Sequence, residues 1–163
     1  MARKKVPMTA ATRELRACSI TYSDHLYAYE EHGGTGVSAR ELGVPEHAVI
    51  KTLIMEDENR RPLVVLMHGN LKVSTKELAR NIGVKTISPC SPEVANRHSG
   101  FLVGGTSPFG TRKRMPVYME TTVSELETIY VNGGKRGYLV GMAPEDLVRV
   151  LGPTLVQVGI QDG

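Results

Sequence analysis

The sequence predicts an α/β protein of the mixed (α+β) kind: a mixed β-sheet with helices packed around it. Three observations carry this. Strand-like and helix-like segments are interspersed along all 163 residues. Some of the strands come as hairpins, which a regular doubly wound parallel sheet would not contain. Apolar residues make up 40% of the chain and charged residues 23%, which suits one packed core under a polar surface.

Residues 1–8 read as a flexible basic arm, and residues 9–163 as a single domain. Thr9 is an N-cap for an amphipathic stretch that runs through Leu15. Residues 19–29 are rich in Tyr, Ile and Thr and read as extended. After a loop with Gly33, Gly34 and Gly36, Ser38 and Glu41 have capping-box spacing for a short helix ending near Gly43, and Pro45 opens the next turn. Residues 49–55 and 63–67 are short, β-branched apolar runs on either side of a polar turn, a hairpin of strands buried on both faces. Ser74 and Glu77 open a helix that stops at Gly83, and Lys85 to Ser88 is a short strand. Ser91 and Pro92 start a helix to about Arg97. Phe101 to Val103 reads as extended. Val117–Met119, Ile129–Val131 and Tyr138–Val140 read as strands, with the turn Gly133–Gly137 between the last two. Pro144 opens a final helix with Glu145 and Asp146 in its first turn, Gly152 ends it, and Leu155 to Val158 is a last strand.

Several functional classes are disfavoured. No apolar run is long enough for a bilayer, and no h-region follows the basic start, so the cytoplasm is the expected compartment and no membrane partner is expected. A net charge of +3 is too small for indiscriminate nucleic-acid binding. The basic runs Arg112-Lys113-Arg114 and Lys135-Arg136 each read as a solvated face or as a local patch. Cys18 and Cys90 form no CxxC pair, and His25, His32, His47, His68 and His98 show no HExxH spacing. The sequence therefore suggests no metal site and no cofactor.

Three features could carry chemistry. Alternation puts Lys51 on the strand face shared by Leu53 and Met55, where an ammonium must reach water, pair with a charge, or line a pocket. The loop Gly104-Gly105-Thr106-Ser107-Pro108-Phe109-Gly110 lets backbone approach a ligand closely, but it has neither dinucleotide-fingerprint nor P-loop spacing. In the turn Gly133–Gly137, glycines flank Lys135 and Arg136 as either a phosphate corner or an exposed tight turn. There is no G-x-S-x-G and no evident side-chain base.

Taken together, Val49-Ile50-Lys51-Thr52-Leu53, Gly100 to Gly110, and Ile129 to Gly137 resemble in identity, order and spacing the YbaK/EbsC family of aminoacyl-tRNA deacylases, which is related to the editing domain inserted in bacterial prolyl-tRNA synthetases. The resemblance covers the chain from about Thr9 to Gly159. It implies a barrel-like mixed sheet surrounded by helices, and cofactor-free hydrolysis of the ester of a mischarged tRNA. Lys51 matches the essential lysine, with Gly104 and Gly105 as its catalytic backbone partners. Thr106, Ser107 and Pro108 continue the loop around the aminoacyl group, and Tyr29, Thr52, Asn132, Gly133 and Leu139 fall at substrate positions. Arg112, Lys113, Arg114, Lys135 and Arg136 become candidates for the tRNA acceptor stem. The partners implied are the aminoacylated 3′ end of tRNA and, as a further candidate, prolyl-tRNA synthetase.

The chain departs from the cysteine-specific members at Asn132, where they have Ser, and at Leu139, where they have Asp. Its loop from Tyr29 to Ser38 is shorter, with glycines in place of an aromatic. The expected substrate is Cys-tRNA(Pro) or another small aminoacyl-tRNA such as Ala-tRNA(Pro). The rival reading is a non-catalytic tRNA-binding or synthetase-associated module.

Overall fold

The computed structural model describes residues 5–161. Residues 1–4 of the basic arm lie outside them, and residues 5–8 have no regular secondary structure. The elements follow in chain order as α1 (Ala10–Ala17), β1 (Ser23–Leu26), α2 (Gly34–Leu42), a 3₁₀ turn (Glu46–Ala48), β2 (Val49–Asp57), β3 (Pro62–His68), β4 (Leu71–Val73), α3 (Thr75–Ile82), β5 (Ile87–Pro89) and α4 (Pro92–Ser99). The second half holds β6 (Val117–Glu120), a second 3₁₀ turn (Thr121–Glu125), β7 (Ile129–Lys135), β8 (Tyr138–Met142), α5 (Pro144–Leu151), β9 (Thr154–Val156) and β10 (Gly159–Gln161).

Local chemistry sets most helix ends. The Thr9 hydroxyl accepts from the Thr12 amide, Ser74 from Glu77 and Ser91 from Val94, while Gly43, Gly83, Gly100 and Gly152 close α2 to α5 in the left-handed conformation. The start of α2 differs from the expected one. The helix begins at Gly34, so Ser38 lies inside it, and its hydroxyl donates to the Thr35 carbonyl instead of capping. Phe101 to Val103 forms no strand: Phe101 is buried, whereas Leu102 and Val103 are 62% and 45% exposed.

The main sheet has the order β1-β8-β7-β2-β3-β6-β9, with β5 added to β2, and β4 pairs with β10 in a separate two-stranded ribbon. Its pairings are mixed: β2–β3, β7–β8, β1–β8 and β2–β5 are antiparallel, whereas β2–β7, β3–β6 and β6–β9 are parallel. On one face, Ile50, Ile54, Val64, Leu66, Ile129, Val131, Tyr138 and Val140 pack with Ala11 and Leu15 of α1, Ala95 of α4 and Leu147 of α5. On the other face, Met55, Leu63, Val65 and Met67 meet Leu78 and Ala79 of α3, and Val49 and Leu139 meet Ala39 of α2. Burial on both faces explains the continuous apolar runs of β2 and β3. Among the described residues no helix is long and apolar enough to cross a membrane.

His68, at the end of β3, is wholly buried. Its Nδ1 lies 2.6 Å from the His47 carbonyl, its Nε2 2.6 Å from the Thr122 hydroxyl, and its ring stacks on His47 with centroids 3.6 Å apart. A neutral ring satisfies both partners, donating from Nδ1 and accepting at Nε2. Burial, the largest influence, holds the group below its ordinary value. This stabilisation is therefore fully present above about pH 6.5 and is lost as pH falls from there toward the lower folded value. Urea unfolding at about pH 7.5 and about pH 5 should show a larger loss in the wild type than in His68→Gln. Equal losses would rule out this assignment.

Candidate functional site

The parallel pairing of β2 with β7 is short. It joins Val49 to Tyr130 and Ile50 to Val131 and goes no further. Lys51 and Asn132 are the next residue on each strand, so they stand side by side where the strands begin to part. Asn132 is paired directly with Leu139 of β8. Alternation places Lys51, Asn132 and Leu139 on one sheet face, the face of Leu53, Tyr130 and Val49. Lys51 is half-buried there, paired in register with Met67.

Beyond Asn132 the β7–β8 ladder is irregular between Asn132 and Lys135. Gly133 and Gly134 occupy this bulge, so they belong to the strand and the tight turn is confined to Arg136 and Gly137. Packing explains the small residue at Gly133, because a β-carbon there would run into the Tyr138 ring. The Gly133 carbonyl accepts from the Thr9 hydroxyl at 2.5 Å, which ties the bulge to the start of α1.

Asn132 organises the bulge and the glycine loop together. Its side-chain oxygen accepts from the amides of Gly134 (2.7 Å) and Lys135 (3.1 Å), and its Nδ2 donates to the Gly104 carbonyl at 3.0 Å. A second clamp comes from Arg136, whose Nε donates to the Val103 carbonyl at 2.9 Å while its guanidinium lies 5.2 Å from the centroid of the Tyr29 ring. Tyr29 completes the enclosure: a β-carbon at Gly104 would meet its hydroxyl at 2.6 Å, while one at Gly105 would meet the backbone nitrogen of Arg136 at 2.8 Å. Gly104 is exposed with φ +91°, whereas Gly105 is buried and donates its amide to the Leu102 carbonyl. Gly104 is thus the position that the loop presents.

The structure brings together Lys51, Tyr29, Gly104, Gly105, Asn132, Gly133, Lys135 and Arg136. It separates others. Thr52 lies on the opposite face of β2 from Lys51, beside Ile50 and Ile54, and its buried hydroxyl makes no hydrogen bond among the described residues. Ser107 and Pro108 are buried, and the Ser107 hydroxyl accepts from the Phe109 amide at 3.2 Å. Thr106 is half-buried and donates to the Leu102 carbonyl. Leu139 stays beside Asn132 on the face of Lys51, but it is 4% exposed and packed against Ala39 and Val49, so it bounds the site from below.

Arg112, Lys113 and Arg114 are exposed at the other end of the loop, where the Arg112 amide donates to Ser99 and that of Lys113 to His98. The segment from Ser99 to Gly105 therefore runs from one basic cluster to the other. Sequence spacing gave no sign of the group beneath Lys113. Ligand atoms of Glu56, Cys90 and His98 converge within 4.8 Å, with His98 Nε2 2.8 Å from Glu56 and His98 Nδ1 3.0 Å from the Lys113 ammonium. Both ring nitrogens are engaged and a cation occupies one side, so the group acts as a brace for Lys113. Burial, with a smaller contribution from the Glu56 charge, pushes the Cys90 thiol up to about 11, so it is no nucleophile near neutral pH.

A family model described as an aminoacyl-tRNA editing domain matches residues 34–150. Over 150 residues the chain is 29% identical to a protein of Enterococcus faecalis provisionally named Cys-tRNA(Pro)/Cys-tRNA(Cys) deacylase EbsC, covering 91% of this chain and 92% of that one. Over 86 residues it is 24% identical to a proline–tRNA ligase of Brachyspira hyodysenteriae, covering 53% of this chain and 15% of the ligase. A solved structure provisionally described as a trans-editing enzyme for prolyl-tRNA synthetase superposes with a TM-score of 0.81 at 19% identity, over 96% of this chain and 99% of that one. At that identity the likeness establishes the fold.

Proposed function

The chain belongs to the family of aminoacyl-tRNA editing domains, and from that premise we propose that it is a free-standing deacylase of Cys-tRNA(Pro) or of another small aminoacyl-tRNA(Pro), such as Ala-tRNA(Pro). Residues 9–163 form the deacylase domain in this reading. The observation that carries it is the placement of Lys51 beside Asn132, whose amide holds the exposed Gly104 in place.

The mechanism is one of positioning. Lys51 holds a phosphate of the terminal nucleotide by a charge-assisted hydrogen bond. Gly104 lies against the aminoacyl ester, and the loop backbone faces the oxyanion that develops as the carbonyl is attacked. One such donor contributes ~3–4 kcal/mol. Water adds to the carbonyl carbon, the ester C–O bond breaks, and the ribose hydroxyl leaves with a proton. With a cysteinyl substrate the thiol can take the place of water in the first step: its sulfur bonds to the carbonyl carbon, the ester C–O bond breaks, the thiol proton goes to the ribose oxygen, and water then opens the released thiolactone. Bringing the reacting groups into line supplies most of the acceleration, which fits a site without an evident side-chain base.

The small side chain is favoured because the neighbouring sheet face is already filled: Leu139 packs on Val49 and Ala39, leaving little depth beside Asn132. Selection by an apolar wall is shallow, ~1–3 kcal/mol per methylene, so prolyl-tRNA synthetase or tRNA features would protect correctly charged products. The test is hydrolysis of labelled Cys-, Ala-, Ser- and Pro-tRNA(Pro) at substoichiometric protein. Selective turnover of a small aminoacyl ester is the expected result. Binding of tRNA without turnover of any of them would overturn the deacylase and leave a synthetase-associated binding module.

A further inference from the structure

An open depression of 410 Å³ lies on the outer side of the β7–β8 turn, with Lys5, Pro7, Tyr27, Tyr29, Lys135 and Arg136 in its wall. This is within the size range of small-ligand sites, about 300–1,000 Å³. Among the described residues its lining holds three cations and no acidic side chain. It also holds two half-buried tyrosines. Tyr27 is anchored from behind by packing against Ala39, Val49 and Leu139, and its amide donates to the Gly137 carbonyl at 2.9 Å. Tyr29 is steadied by the Arg136 guanidinium. Fixed aromatic faces beside cations make up the general chemistry of single-stranded nucleic-acid sites, where rings stack on bases and cations follow the phosphates.

Its position gives the depression a place in the substrate. Tyr29 forms part of its wall and also touches Gly104, and Arg136 lines it while holding the Val103 carbonyl. Tyr29 and Arg136 therefore form the partition between the depression and the glycine loop. We propose that the depression receives the single-stranded nucleotides immediately 5′ of the aminoacylated one, with Tyr27 stacking on a base and Lys5 and Lys135 meeting phosphates. This rests on the deacylase reading, since it takes the terminal ester to lie at Gly104. Arg136 is already engaged with the loop, so the exposed Lys5 and Lys135 carry the phosphate contacts.

The test uses a 5′-labelled CCA ribonucleotide titrated with the full-length protein and followed by fluorescence anisotropy. The Lys5→Ala/Lys135→Ala double variant touches no core residue and should weaken binding about tenfold, with a salt slope shallower by ~0.7 for each phosphate contact removed. Tyr27→Leu keeps an apolar side chain against α2 and should also lose about tenfold through stacking. Wild-type affinity and slope in the double variant would overturn the subsite. So would displacement of CCA by inorganic phosphate as effective as displacement by unlabelled CCA, since that is the behaviour of a simple anion site. Turnover of the aminoacyl-tRNA panel is measured separately on the wild type. Turnover with lysine variants that bind CCA normally removes the subsite alone, whereas CCA binding that depends on Lys5 and Lys135, without turnover, supports the subsite and removes the deacylase.

Discussion

Lys51→Ala should lower kcat/KM for aminoacyl-tRNA hydrolysis by about a hundredfold while leaving the fold intact. A hydrogen bond to a charged partner is worth roughly 1.5–3 kcal/mol, and the upper end applies on a half-buried face flanked by Leu53 and Met67, where water competes poorly. Single-turnover hydrolysis and urea unfolding separate loss of activity from loss of fold. Lys51→Arg tests the geometry, since a forked guanidinium on a longer stem does not place its charge where an ammonium sits, and it should recover only part of the loss. Full activity in Lys51→Ala would remove this residue from the mechanism and shift the weight to the glycine loop.

What the sequence made legible was local. Thr9, Ser74 and Ser91 act through amides three residues away, and Gly43, Gly83 and Gly152 through their own φ angles, so composition alone located those helix ends. The face of Lys51 followed from the period of two along β2. The misreadings share a cause. The start of α2 carries Gly33 in place of a capping side chain, so no local signal marked it, and the Ser38–Glu41 spacing suggested a later start. The apolar Phe101–Val103 run has strand composition, but its backbone pairs with no strand, and Asn96 and Ser99 bind the Phe101 carbonyl instead.

Within the site the balance is the same. Glycine content pointed to the two loops, yet their joining depends on Asn132 reaching Gly104, 28 residues earlier, and on Thr9 reaching Gly133, 124 residues later. Separations of that kind have no period to detect. Asn132 was read as a substrate position, and the structure makes it the residue that ties the glycine loop to the sheet. The Glu56–Cys90–His98 group was invisible for the same reason, its members being brought together only by β5 pairing with β2 and α4 packing beside them.

Gly104→Ala should cost about a hundredfold in kcat by a different route. Gly104 adopts φ +91°, where a side chain is strained by roughly 1–2 kcal/mol, and its new methyl would stand 2.6 Å from the Tyr29 hydroxyl and 3.0 Å from the ring. Either Tyr29 turns away, which disturbs its contact with Arg136, or the loop withdraws and stretches the bond from Asn132 to the Gly104 carbonyl. A displacement of about 1 Å between an ester and its oxyanion donors is enough for a loss of that size. Gly43→Ala is the control. It has a comparable left-handed backbone (φ +67°) at the end of α2, with nothing within 4 Å of the added carbon. Gly43→Ala should lose roughly 1–2 kcal/mol of stability through backbone strain alone and Gly104→Ala at least that much, but only Gly104→Ala should lose turnover. Wild-type kcat in Gly104→Ala would show that the loop tolerates the shift and that ester positioning lies elsewhere. Equal losses of activity in the two variants would trace the defect to general destabilisation.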